Sequence, residues 1–126
     1  MIGKLVGLGA EVVCMPTIKI LPPKNYSELD HAIKNLSNFD WLIFTSVNGV
    51  ESFFKRVLQL GVNLENVKKI KIGAIGSATK KAIENCRLKV DFIPSNFYAE
   101  VLAEELEKKI ELKGTKILLP QADIAR

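Results

Sequence analysis

The chain has 126 residues, 48% hydrophobic and 25% charged, with a formal net charge of +4 at pH 7. That is one domain's worth of ordinary soluble globular sequence, which argues against disorder and leaves room for a modest core. No apolar run approaches membrane-spanning length, and the N-terminus "MIGKLVGLGAEVV" lacks the long apolar stretch and cleavage site of a signal peptide. A cytoplasmic location is expected, with no membrane partner. The lysines are spread instead of blocked, as solvated faces are, and the surplus allows an anionic partner, a polycarboxylate as well as a phosphate backbone.

In chain order, Ile2, Leu5 and Val6 read as the last turns of a helix, and "GLGAEVVCMP" as a glycine stop followed by a strand. "NYSELDHAIKNL" carries capping-box spacings from Asn25 to Glu28 and from Ser27 to Asp30, then Leu29, Ala32, Ile33 and Leu36 at helical period. "DWLIFTS" is a short strand buried on both faces. Val50, Phe53, Phe54, Val57 and Leu58 then predict one apolar helix stripe.

The alternation continues with a strand in "KIKIGAIG" and a helix in "SATKKAIENC", whose Ala78, Ala82 and Ile83 are expected inward. A short strand follows in "KVDFIP". A further helix is predicted with Tyr98, Leu102, Leu106 and Ile110 on one face, and a last strand in "KGTKILLP". Strands alternating with helices predict an α/β fold with a flavodoxin-like parallel sheet covered on both faces. A β–α unit is missing at each end of this pattern, so the chain reads as a piece of a longer one, a truncated domain.

Cys14 and Cys86 stand far apart, and His31 is the one histidine, in a solvent-facing helix position. No metal site is expected, nor a Cys–His or Ser–His–Asp catalyst, and both cysteines are read as buried free thiols. Four loops meet beyond the carboxyl ends of the strands, where a parallel sheet binds its ligands: "TSVNG", "GSAT", "PSNFYAE" and "PQADIAR". Thr45, Ser46 and Asn48 are natural helix caps, as are Ser77 and Thr79. They are also hydroxyl and amide donors at helix N-termini, suited to a ligand bearing many carboxylates. Neither GxGxxG nor a P-loop is present, so a dinucleotide or triphosphate is not indicated.

These loops, in this order, resemble those of the uroporphyrinogen-III synthase family. The stretches that carry the likeness are "LGAEVVCMPTIKILPP", "WLIFTSVNGVESFF", "IGAIGSATKKAIE", "VDFIPSNFYAEVLAEEL" and "ILLPQADIAR". The family commonly has Arg-Gly where this chain has Gln121-Ala122, and often Ser or Asn at the position of Tyr98. The resemblance implies two domains in the family. Residues 1–22 would be a remnant of the first domain's helix and strand with the inter-domain linker, and 23–126 an incomplete second domain.

The implied substrate is hydroxymethylbilane, a linear tetrapyrrole with carboxylate arms on every ring, cyclised with inversion of its last ring. No cofactor is implied, and no nucleic acid partner. By position, Thr45, Ser46, Asn48, Gly49, Gly76, Ser77, Ala78 and Thr79 would bind substrate, mainly through backbone amides, with Tyr98, Ala99, Glu100 and Arg126 beside them. Thr79 would be the catalytic contact near the leaving hydroxyl. The piece alone is expected to be inactive, and its exposed sheet edge at "TKILLP" would favour a homodimer. The alternative is a non-catalytic flavodoxin-like or receiver-like binding module.

Overall fold

The computed structural model of the chain describes residues 2–15, 19, 21–95, 99–109 and 111–121. Its elements are α1 (Ile2–Gly7), α2 (Ser27–Lys34), a 3-10 turn (Leu36–Asn38), β1 (Trp41–Phe44), α3 (Val47–Gln59), α4 (Leu64–Lys68), β2 (Lys71–Ala74), α5 (Ser77–Asn85), α6 (Ala99–Lys109) and β3 (Ile117–Leu118).

All four residues of β1 are buried, because the strand lies in the middle of the sheet with helices against both of its faces. Side chains alternate across it. Leu42 and Phe44 enter a large cluster with Val50, Phe53, Phe54 and Val57 of α3 and Ile83 of α5. Trp41 and Ile43 enter a smaller one with Phe92 and Leu106 of α6. The strand order is β2-β1-β3, all parallel, with Phe44 opposite Ala74 and Leu42 opposite Leu118. Beyond β2, Phe92 makes a single parallel bridge to Gly73. The chain therefore winds outward from β1 to β2 to Phe92 and then returns to the other side of β1 as β3. A crevice opens at such a reversal, outside the carboxyl ends of the strands. Fold class and layering are those expected from the sequence.

Several local expectations are corrected. Leu58 is 67% exposed. At 100° per residue it stands at the rim of the arc centred on Val50, Phe53, Phe54 and Val57. On α5 the inward residues are Thr79 and Ile83, with Ala82 partly buried, whereas Ala78 is exposed. The strand expected in "KVDFIP" contracts to its one bridge. Asp91 Oδ2 accepts the Ile72 N–H at 2.9 Å, taking with a side chain the donor that a strand partner would have used. Before α2, Asn25 Oδ1 accepts from Ser27 N–H (2.8 Å) and hydroxyl (2.6 Å), an Asx-type turn in place of a capping box, and the N-cap is Tyr26. Leu106 is buried as expected; the side chains of Tyr98, Leu102 and Ile110 lie outside the described residues.

Helix α1 buries none of its residues. Residues 10–15 form no strand, since a strand exists only by pairing and no partner meets them among the described residues. Cys14, on this segment, is exposed and Cys86 half-buried, so the expectation of two buried thiols fails for Cys14. His31 is exposed, as expected. Among the described residues no helix is long and apolar enough to cross a membrane.

One polar contact ties α2 to α3. Arg56 donates through Nε and a terminal nitrogen to the two carboxylate oxygens of Asp30, each at 2.7 Å, with its guanidinium 4.2 Å from the Tyr26 ring centre. Hydrogen bonding from Arg56 holds the Asp30 carboxyl below the usual aspartate range, against the opposing effect of burial. A depressed folded-state pKa gives stability that is present above the ordinary aspartate value of about 3.9 and is lost as pH falls through the folded value. Wild type is therefore expected to exceed Asp30→Asn in urea midpoint at pH 7, the two converging toward pH 2. A gap that persisted in acid would show that the pair does not supply it.

Candidate functional site at the carboxyl edge of the sheet

Strand β1 ends at Phe44, and Ser46, in extended conformation, is the N-cap of α3. Its hydroxyl oxygen accepts the Gly49 N–H at 3.1 Å, and its carbonyl accepts the Val50 N–H at 3.2 Å. Capping therefore accounts for Ser46. It does not account for Asn48, which is exposed, or for Thr45, which is half-buried. The N–H groups of Val47 and Asn48 meet no acceptor among the described residues. Gly49 is packed closely: a Cβ there would stand 3.3 Å from Ser46 Oγ and 3.5 Å from the Pro120 carbonyl oxygen. The loops after β1 and β3 thus approach one another at the point where the winding reverses.

The second loop lies in register beside the first. Ile75 N–H donates to the Phe44 carbonyl at 2.8 Å, extending the β1–β2 pairing one residue beyond the strands at their carboxyl edge. Gly76 follows with φ 89° and is the N-cap of α5, a conformation that favours glycine. Its carbonyl accepts the Lys80 N–H at 3.0 Å, and no side chain caps the helix. Ser77 and Thr79 are not caps, contrary to that part of the sequence reading, because Gly76 fixes the helix start one residue before Ser77. The N–H groups of Ser77, Ala78 and Thr79 meet no acceptor among the described residues. Ser77 and Ala78 are exposed, while the Thr79 side chain is 4% exposed.

The third loop leaves Phe92 through Pro94 to Ser95, whose N–H donates to Glu105 Oε2 at 2.9 Å and whose hydroxyl donates to Oε1. These two bonds from Ser95, with smaller help from Lys108 and Lys109, hold the Glu105 carboxyl below the usual glutamate range. Sequence reading puts Ser95 in the third loop without a role of its own and does not bring Glu105 to the site, because a contact across ten positions between a loop and a helix leaves no periodic signal. Tyr98 and Arg126 lie outside the described residues; Ala99 and Glu100 open α6, and their side chains are not described.

What this edge offers chemically is N–H donors and positive helix ends. Helices α3 and α5 direct the positive ends of their dipoles to neighbouring strand termini, where a carboxylate is stabilised. Burial and the nearby Glu51 push the Cys86 thiol upward, away from nucleophile chemistry. Among the described residues no group of three or more His, Cys, Asp or Glu is placed to hold a metal ion.

Comparison with known proteins bears on this geometry. The family profile described as Uroporphyrinogen-III synthase HemD matches residues 1–126. Porphyrin biosynthesis protein HemD of Ruminiclostridium josui is 34% identical over 125 residues, 99% of this chain and 25% of that protein. Uroporphyrinogen-III synthase of Synechococcus elongatus is 34% identical over 115 residues, 91% of this chain and 42% of that one. Among solved structures, Thermus thermophilus uroporphyrinogen III synthase superposes with a TM-score of 0.60 at 17% identity, over 84% of this chain and 49% of that chain. The last likeness is one of fold. The chain spans between a quarter and a half of the length of these relatives.

Proposed function

The chain belongs to the uroporphyrinogen-III synthase family, and from that premise we propose that it forms one substrate-binding wall of an enzyme that cyclises hydroxymethylbilane to uroporphyrinogen III. Residues 1–22 serve in this reading as the connection to a first domain and 23–126 as the body of the second. The observation that carries the reading is the uncapped first turn of α5 beside β1's loop, at the carboxyl edge of a parallel sheet. A substrate with carboxylate arms on every ring needs donors in that kind of array.

The reaction asks the protein chiefly for geometry. Loss of the terminal hydroxyl gives a cationic azafulvene, and attack through the substituted carbon of the last ring gives a spiro intermediate whose fragmentation and reclosure invert that ring. Unassisted closure at the unsubstituted carbon gives the I isomer. The amides of Val47, Asn48, Ser77, Ala78 and Thr79 hold the arms so that the spiro route is favoured, an orientational effect. Thr45, Ser46, Asn48, Gly49 and Gly76 shape the same loops, with Tyr98, Ala99, Glu100 and Arg126 as further contacts. Thr79 is the proposed side-chain contact near the departing hydroxyl, in surroundings largely withheld from water, where a hydrogen bond counts for more.

The test is the isomer ratio of uroporphyrinogen formed from hydroxymethylbilane by this chain and by the full reading frame that contains it. Excess III isomer from the longer product alone is the expected result, because the substrate must be held from both sides. Excess from neither would overturn the reading.

A further inference from the structure

The three loops at the carboxyl edge differ in what they leave open. Those after β1 and β2 present N–H groups without acceptors among the described residues, whereas the loop after Phe92 gives both donors of Ser95 to one carboxylate. Phe92 is tied to the sheet by two backbone bonds, its N–H to the Ile72 carbonyl (3.2 Å) and its carbonyl to the Ala74 N–H (2.9 Å). Past it, Pro94 is buried, and the described hydrogen bonds of the loop are those of Ser95 with Glu105.

The far partner is itself well held. Leu106, the next residue on α6, is buried among Trp41, Ile43 and Phe92, which sets the rotation of the helix. Lys109, one turn on, lies 5.0 Å over the Phe92 ring. Glu105 is thus aimed by a packed neighbour, and its two oxygens bridge helix and loop in bidentate fashion. Such a bridge fixes a loop more tightly than a single bond, since both atoms of the acceptor restrict it.

We propose that Glu105 is a positioning residue for substrate: by holding the amide and hydroxyl of Ser95 together it fixes Ile93, Pro94 and Ser95 beside the open amides of α5, and so sets how the substrate's arms meet them. The inference rests on the substrate reading given above.

The experiment uses the full reading frame with Glu105→Ala, Glu105→Gln, Ser95→Ala and the Glu105→Ala/Ser95→Ala double variant. Loss of hydrogen bonds to a charged group predicts a rise of about tenfold in KM for Glu105→Ala, with kcat held within about twofold. Glu105→Gln keeps one carbonyl acceptor and recovers part of the loss. The double variant is no worse than Glu105→Ala, as for residues acting through one contact. Melting temperatures stay close to wild type, because both side chains lie outside the core. An active wild type with unchanged KM in Glu105→Ala overturns the proposal, and so does a lowered melting temperature with KM unchanged, which marks a merely structural bond. Absence of excess III isomer from wild type itself overturns the substrate reading and the proposal with it.

Discussion

Phe44→Ala is expected to lower the stability of the domain by about 3–5 kcal/mol, the usual cost of truncating a buried phenylalanine. Phe44 is fully buried at the end of the central strand. Its ring meets Phe53 edge-on at 5.4 Å and 74°, and Phe54 at 5.8 Å, while Phe53 and Phe54 meet each other at 5.3 Å and 86°. Edge-to-face pairs add to the area term, so the cavity would open among three mutually supporting rings. Against a total of about 5–15 kcal/mol, such a loss is a large fraction of the whole. In a urea titration the midpoint should fall steeply. Leu58→Ala, on the helix that carries Phe53 and Phe54 but largely exposed, should stay within about 0.5 kcal/mol of wild type. Equal midpoints for the two would mean that the triad of rings is not the centre of the core. The damage would extend to the site, because the Phe44 carbonyl receives the Ile75 N–H and Thr45 follows it directly.

That contrast shows which parts of the structure sequence could reveal. Strand β1 and helix α3 were legible because burial on two faces and burial on one stripe leave different periods in the chain. Leu58 was misread as inward, since a list of apolar spacings does not show where the arc ends. Phe92 illustrates another limit: whether "KVDFIP" pairs as a strand depended on the Asp91 side chain claiming the Ile72 N–H, a choice made in three dimensions. The start of α5 was set by the positive φ of Gly76, which outranked two good capping residues next to it. At the site, "TSVNG" and "GSAT" could be placed at one edge from strand–helix alternation alone. The clamp between Ser95 and Glu105 could not, because nothing local distinguishes that glutamate from its neighbours on α6.

Ser77→Pro separates binding from capping at this edge. Ser77 is the first residue of α5, where proline is favoured because its missing N–H would have no helical partner and its fixed φ suits the first turn. Gly76 before it has ψ 152°, the extended value that a residue preceding proline prefers. The helix should therefore tolerate the change, with melting temperature close to wild type. What is lost is one of three open amides. If those amides receive substrate carboxylates, KM for hydroxymethylbilane in the full reading frame should rise by about 10–100-fold, the worth of one hydrogen bond to a charged group. Ser46→Ala makes the opposite substitution. It removes a side-chain cap already occupied by Gly49 N–H and should cost about 1 kcal/mol of stability, with a smaller change in KM. A proline at 77 that left KM untouched would mean that the first turn of α5 faces water and not substrate, and the binding role would pass to the loop after β1 alone.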